Sequence, residues 1–221
     1  MIIDHNNRAY RAKWQRLQQN KYNGAFYYSK EIVKNIIPRV ATDRNWITVN
    51  TKGAGCDHAI VFIHNNLHPE NYEWLSKYED LILVCGVEET VDKVSHLGRA
   101  IYLPLSIDVE YVSQFRLPAE QRRGTAFAGR LIKSVNIPSG TPTLCGIKRQ
   151  RLLPRMARFE KIYAVGRTAI EARCLGCEIL PYDERYPDVS IWKVIDNREA
   201  AEMLQRKIDE IDGTEKHEDK T

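Results

Sequence analysis

Continuous apolar runs alternate along this chain with segments in which apolar residues recur at helical spacing. HAIVFIHNN (58–66), LILVCG (81–86) and AIYLPL (100–105) are almost wholly apolar. That is the pattern of strands buried on both faces. WITVNT (46–51) predicts a further strand. NYEWLSKYED (71–80) and EETVDKVSHLG (88–98) predict helices between them, the second closed by Gly98. A second block repeats the rhythm. TAFAGR (125–130), PTLCG (142–146), KIYAVG (161–166) and EILPYD (178–183) predict strands, and RQRLLPRMARF (149–159) and TAIEARCL (168–175) predict helices. REAAEMLQRKIDEI (198–211) predicts a last amphipathic helix. At the amino end, Tyr10, Trp14 and Leu17 recur at helical spacing among Arg8, Arg11, Lys13 and Arg16. A second helix follows there, with Ser29 as its cap and Pro38 near its end.

Apolar strands alternating with helices indicate parallel sheets covered by helices. The fold expected is α/β, with two small Rossmann-like domains. Their bounds are 1–115 and 116–195, with the polar RLPAEQRRG segment near the junction. A C-terminal helix over 196–212 and a disordered charged tail over 213–221 complete the chain. In open α/β sheets ligands sit beyond the carboxyl ends of the strands. The positions of interest are therefore Cys85-Gly86, Gly129-Arg130, Cys145-Gly146, Gly166-Arg167 and the loop that begins at His64.

Composition adds limits. The 221 residues are 43% hydrophobic and 28% charged, ordinary for a globular protein. No apolar run approaches the roughly 18 residues of a membrane span, and the amino terminus lacks an apolar leader core. Five cysteines, an odd number lying mostly in apolar runs, argue against a secreted disulfide scaffold and for a reducing cytoplasm. A net charge of +4 decides little until its placement is known.

GRTAIEARCLG (166–176) is the segment richest in candidate chemistry. Thr168-Ala-Ile-Glu171 matches a helix capping box. The same spacing sets a carboxylate one turn inside a helix that starts at a strand's carboxyl end. There the helix N–H groups favour phosphate and an acid can accept from the hydroxyls of a ribose. Sequence leaves both roles for Glu171 open.

In order, these segments resemble the GT-B glycosyltransferases. GRTAIEARCLGCEILPYD (166–183) is similar to that family's donor block. The resemblance implies that Glu171 holds the donor ribose and that Gly166, Arg167 and Thr168 line the phosphates. TAFAGRLIK (125–133) resembles the first strand of the donor domain, implying that Arg130 and Lys133 face the diphosphate. YLPLSIDVEYVSQF (102–115) resembles the passage between domains, with Asp108 at its acidic position. DHAIVFIHNN resembles the strand that ends on the acceptor side, implying His64 there. His64 and Asp108 are the catalytic candidates on this basis. The implied activity is transfer of a sugar from a nucleotide-diphosphate donor to an acceptor hydroxyl, without a metal or further cofactor. Tyr163 stands where many retaining members carry an acid.

Lys148, Arg149, Arg151, Arg155, Arg158 and Lys161 crowd a short stretch in which only Glu160 opposes them. They form either a solvated helix face or a surface for an anionic partner. Lys148 and Arg149 follow a strand-end glycine and are candidates for the donor site. Two alternatives to a sugar transferase with a small acceptor remain. One glycosylates a modified nucleic-acid base. The other is a degenerate nucleotide-binding module without activity. Cys174-Leu-Gly-Cys177 lies at a helix C-terminus, where the dipole disfavours a reactive thiolate, so no redox role is expected of it, and zinc would need a second ligand pair, so no metal is expected either. Donor base, sugar, acceptor and oligomeric state are left open.

Overall fold

The computed structural model describes residues 31–47, 58–63, 75, 78–129 and 137–218. The expected helix over 6–20, Ser29, His64, most of 71–80, Arg130 and Lys133 lie outside the described residues. The chain divides into two compact units. One comprises Ile32–Pro104 and the C-terminal segment from Arg198. The other comprises Leu105–Asn197 with Glu31.

The first unit is a four-stranded parallel sheet in the order β1-β2-β3-β4. Its strands are β1 (Asn45–Ile47), β2 (His58–Ile63), β3 (Asp80–Cys85) and β4 (Arg99–Tyr102). From their second residues onward, β2 and β3 are buried at every position. Ala59, Val61, Ile63, Leu81, Leu83 and Cys85 meet Leu75, Tyr78, Val94 and Leu97 in one core. Ile60, Phe62, Ile82 and Val84 are buried as well, so both faces of these strands are covered. Helix α1 (Glu88–Val94) follows β3 and runs into a 3-10 turn, Ser95–Leu97. In place of the regular helix expected before Pro38 the chain makes a π-helical turn, Ile32–Ile36, and a 3-10 turn, Ile37–Arg39.

The last helix, labelled α5 below, spans Asn197–Glu218. It runs past the end expected at 212, into the charged segment from which a disordered tail was expected. Ala200, Ala201, Leu204 and Ile208 form its buried stripe. Its body belongs to the first unit. Gln205 grips the backbone of Ala41 twice, accepting from its N–H at 2.7 Å and donating to its carbonyl at 2.9 Å. Arg44 donates to Asp212 through Nε at 2.9 Å and Nη2 at 2.7 Å, and its Nη1 donates to Asp80 at the start of β3.

The second unit holds a three-stranded parallel sheet, β5-β6-β7, made of Thr125–Phe127, Lys161–Tyr163 and Glu178–Leu180. Three helices accompany it: α2 (Val109–Ser113), α3 (Arg149–Met156) and α4 (Arg167–Cys174). The strand expected over 142–146 is reduced to a single parallel bridge between Thr143 and Phe127. Phe127 already pairs with Tyr163, so Thr143 lies on the other side of β5. The chain therefore steps from β5 outward to Thr143 and returns to the opposite side for β6. A reversal of this kind makes a topological switch point, beside which parallel α/β sheets hold their ligands.

The boundary between units falls at Pro104/Leu105 rather than near 115. The cause is a long-range bridge from Ile107 to Asp196, flanked by bonds from Ile107 N to Ile195 O and from Asn197 N to Ile107 O, each 3.0 Å. These bonds fasten the segment after β4 to the second unit.

Candidate functional site

Helix α4 begins at the carboxyl end of β6, the central strand of the second sheet. Gly166 is its N-cap, at φ 61°. That left-handed conformation suits glycine. Among the described residues no side chain caps the helix, and none comes within 4 Å of where a Cβ of Gly166 would stand. Thr168 is thus the second helical residue and not the cap, so the capping box does not form. The other end closes at Gly176. That residue adopts φ 88° after the last turn, its N–H bonds to Arg173 O at 2.9 Å, and Cys177 N bonds to Ala172 O at 3.0 Å. This is the Schellman closure. Burial pushes the Cys177 thiol up to about 11, although Arg122 pulls it the other way.

Glu171 is buried within the first turns of α4 and is held by two guanidiniums. Arg149 Nε and Arg167 Nε each donate to its Oε1 at 2.8 Å. The i,i+4 spacing on one helix brings Arg167 onto it. Arg149 comes from the first residue of α3. A second carboxylate completes the group. Glu31 Oε1 accepts from Arg167 Nη2 and lies 3.2 Å from Arg149 Nη1. Glu31 Oε2 accepts from Asn197 Nδ2 at 3.2 Å, and Asn197 Oδ1 accepts from Ser106 Oγ at 2.8 Å. Tyr111 of α2 lies against the Arg149 guanidinium, 5.2 Å from its ring centre. Two carboxylates and two guanidiniums therefore balance in a site where Arg167 and Glu171 side chains are each 4% exposed.

Such a balance is required by its burial, because an ion withdrawn from water without a partner costs several kcal/mol. Burial alone would lower the Arg167 pKa, but Glu171 and Glu31 outweigh it and the net shift is upward. Arg167 is thus a permanent cation. Its Nη1 is buried and has no hydrogen-bond acceptor among the described residues.

Of the residues expected from the sequence, the fold brings Gly166, Arg167, Thr168, Glu171 and Arg149 together. Lys148 is the exposed residue before α3. Asp108 acts as the N-cap of α2, accepting from Tyr111 N at 2.9 Å. Its helix packs on α4. Arg130, Lys133 and His64 fall outside the described residues. Glu31, Asn197, Ser106 and Tyr111 were not foreseen. The Arg167/Glu171 spacing was the one local signal of an ion pair here.

No family model matches the chain, nor does any of the curated proteins or solved structures compared with it.

Proposed function

We propose that the protein is a glycosyltransferase whose second unit holds a nucleotide-diphosphate sugar at the carboxyl ends of β5 and β6. The observation that carries this reading is the start of α4 at Gly166, which no side chain caps among the described residues, beside the switch point of a parallel sheet. Unbonded N–H groups and the positive end of the helix dipole favour an anion there by roughly 0.3–1 kcal/mol, more when water is excluded. Arg167 Nη1 adds a buried donor that lacks an acceptor among the described residues. A diphosphate supplies acceptors for both.

Glu171 serves the ribose in this reading. Its Oε1 is shared by Arg149 and Arg167, so the diol takes the place of Arg149 while Arg167 remains. Arg149, released, turns its charge toward the diphosphate. Cations beside the leaving diphosphate accelerate transfer because negative charge develops there as the glycosidic bond breaks. Arg130 and Lys133 are the sequence's further candidates for that task, and His64 and Asp108 for the acceptor.

The test is turnover of UDP- and GDP-sugars, read as donor hydrolysis or transfer, by wild type and Glu171→Gln. Loss of a charged hydrogen-bond acceptor predicts nucleotide binding weaker by about 10- to 100-fold. Equal turnover and equal nucleotide affinity in the two proteins removes Glu171 from the mechanism.

A second reading is a nucleotide-binding module without transfer. Tyr163 ends β6 where a sugar-holding acid is expected, and Glu171 is already neutralised by arginines. Stabilisation by UDP or GDP without turnover of any sugar donor favours it.

A further inference from the structure

The opposite edge of the second sheet carries a different chemistry. Arg122 and Arg123 precede β5, Arg158 precedes β6, and Gly176 precedes β7, so all three approaches lie at the amino ends of parallel strands. Arg123 N bonds to Arg158 O at 2.9 Å, and Arg158 N bonds to Arg155 O at 3.2 Å as α3 ends. Arg122 Nη1 donates to Gly176 O. Arg116 Nε and Arg122 Cζ each lie 3.2 Å from the point that a Cβ on Gly176 would occupy. Backbone bonds set Arg123, Arg158 and Arg155 side by side, and Gly176 brings Arg116 and Arg122 together, so the five are taken as one strip along this edge.

Arg116, Arg123, Arg155 and Arg158 are exposed and form no ion pair among the described residues. Arg122 Nε is buried without a hydrogen-bond partner among them. Among the carboxylates adjoining these residues in the chain or sheet, Glu178 is engaged by Lys161 at 2.9 Å. Like charges gathered so closely repel unless an anion lies across them. Guanidiniums also match phosphate oxygens in a fork that ammonium groups lack.

We propose that this arginine strip docks the phosphate backbone of a nucleic-acid duplex, at the edge of the unit opposite the start of α4. The partner class follows from what the strip contains and what it omits. A membrane-docking face needs apolar residues to enter the bilayer interface. The exposed large hydrophobics among the described residues are Val33 and Ile191, neither of them in the strip. Single strands are held by exposed aromatic platforms, whereas Phe115 and Phe159 beside the arginines are half-buried. Charge without stacking or wedges fits a duplex held by its phosphates, with sequence unread. The proposal stands whether or not the second unit takes a nucleotide sugar.

The experiment is fluorescence anisotropy of the full chain with a labelled 20-base-pair DNA duplex over a range of salt. Wild type is expected to bind, and log K is expected to fall with log salt at about 0.9 per phosphate contacted. The double variant Arg123→Gln/Arg158→Gln is expected to bind at least tenfold more weakly with a shallower slope. Lys193→Gln, an exposed lysine outside the strip, is expected to bind as wild type does. Arg122 is left intact because it holds Gly176 O. Far-UV circular dichroism confirms folding, and Arg155→Gln alone, expected to reduce the slope, replaces the double variant if that one unfolds. Absence of salt-dependent duplex binding by wild type overturns the proposal. So does equal weakening by Lys193→Gln, or capture by phosphatidylserine vesicles with no duplex binding.

Discussion

Glu171 is a carboxylate whose surroundings decide what it can do. A lone buried acid would be protonated or expelled. Two guanidiniums donating at 2.8 Å hold it in place. Removing it takes from the buried Arg149 and Arg167 a carboxylate that both of them engage. Glu171→Ala is therefore expected to lower stability by about 3–5 kcal/mol in denaturant unfolding. A loss below about 1 kcal/mol would mean that water reaches the cluster freely. The local sequence shows half of this arrangement. Arg167 and Glu171 stand four apart on a helix, a spacing at which opposite charges meet. Glu31 is 136 residues from Arg167, and no local pattern announces such a partner. The capping box failed for a related reason. Gly166 turns the chain into the helix at positive φ, so the helix starts one residue before Thr168.

The elements differ in how plainly the sequence displays them. β2 and β3 are legible because six-residue apolar strands covered on both faces leave no polar alternation to misread. β5, β6 and β7 keep only three paired residues each. Their apolar runs continue past the last pair, where the chain leaves the sheet to form the loops of the candidate site. The run at 142–146 has strand composition but gains one bridge, since Gly140 before it and Gly146 at its end adopt positive φ and turn the chain away. Helix α5 is legible from its apolar stripe. Its attachment is not, because Arg44 is far from it in sequence and reaches both Asp212 and Asp80. Burial pushes the Asp80 carboxyl up, but His58, Arg44 and Arg99 bring it net below its ordinary value of 3.8. A carboxyl depressed in the folded state stabilises fully above its unfolded pKa and loses that contribution as pH falls through the folded one. The hold of Arg44 on β3 is thus expected to persist from neutral pH to about pH 4 and to weaken below it. Hydrogen exchange of β3 and α5 amides across that range checks this, and Asp80→Asn is expected to abolish the pH dependence. An unchanged profile in Asp80→Asn would assign the acid sensitivity to another group.

At the scale of the molecule, the sequence conveys two parallel α/β units but misplaces the border between them. The bridge from Ile107 to Asp196 draws the segment after β4 into the second unit, and the chain returns to the first at Arg198, inside α5. Pairings across such distances leave no periodic trace, so composition alone could not have set the boundary. The modest net charge of +4 likewise conceals an uneven distribution. Within the second unit the carboxyl ends of the strands hold a neutral, buried ion cluster, and the amino ends carry exposed arginines. The proposed nucleoside-diphosphate site lies at the first of these, where α4 begins. Thermal unfolding of the full chain titrated with UDP, GDP and their sugars, for wild type and Gly166→Val, tests it most directly. At least one of these ligands is expected to raise the wild-type midpoint with concentration, reaching about 2.7 kcal/mol of stabilisation at a hundredfold excess over Kd, and the valine side chain is expected to remove that rise. A wild-type midpoint that no nucleotide moves, or an equal rise in Gly166→Val, would contradict it.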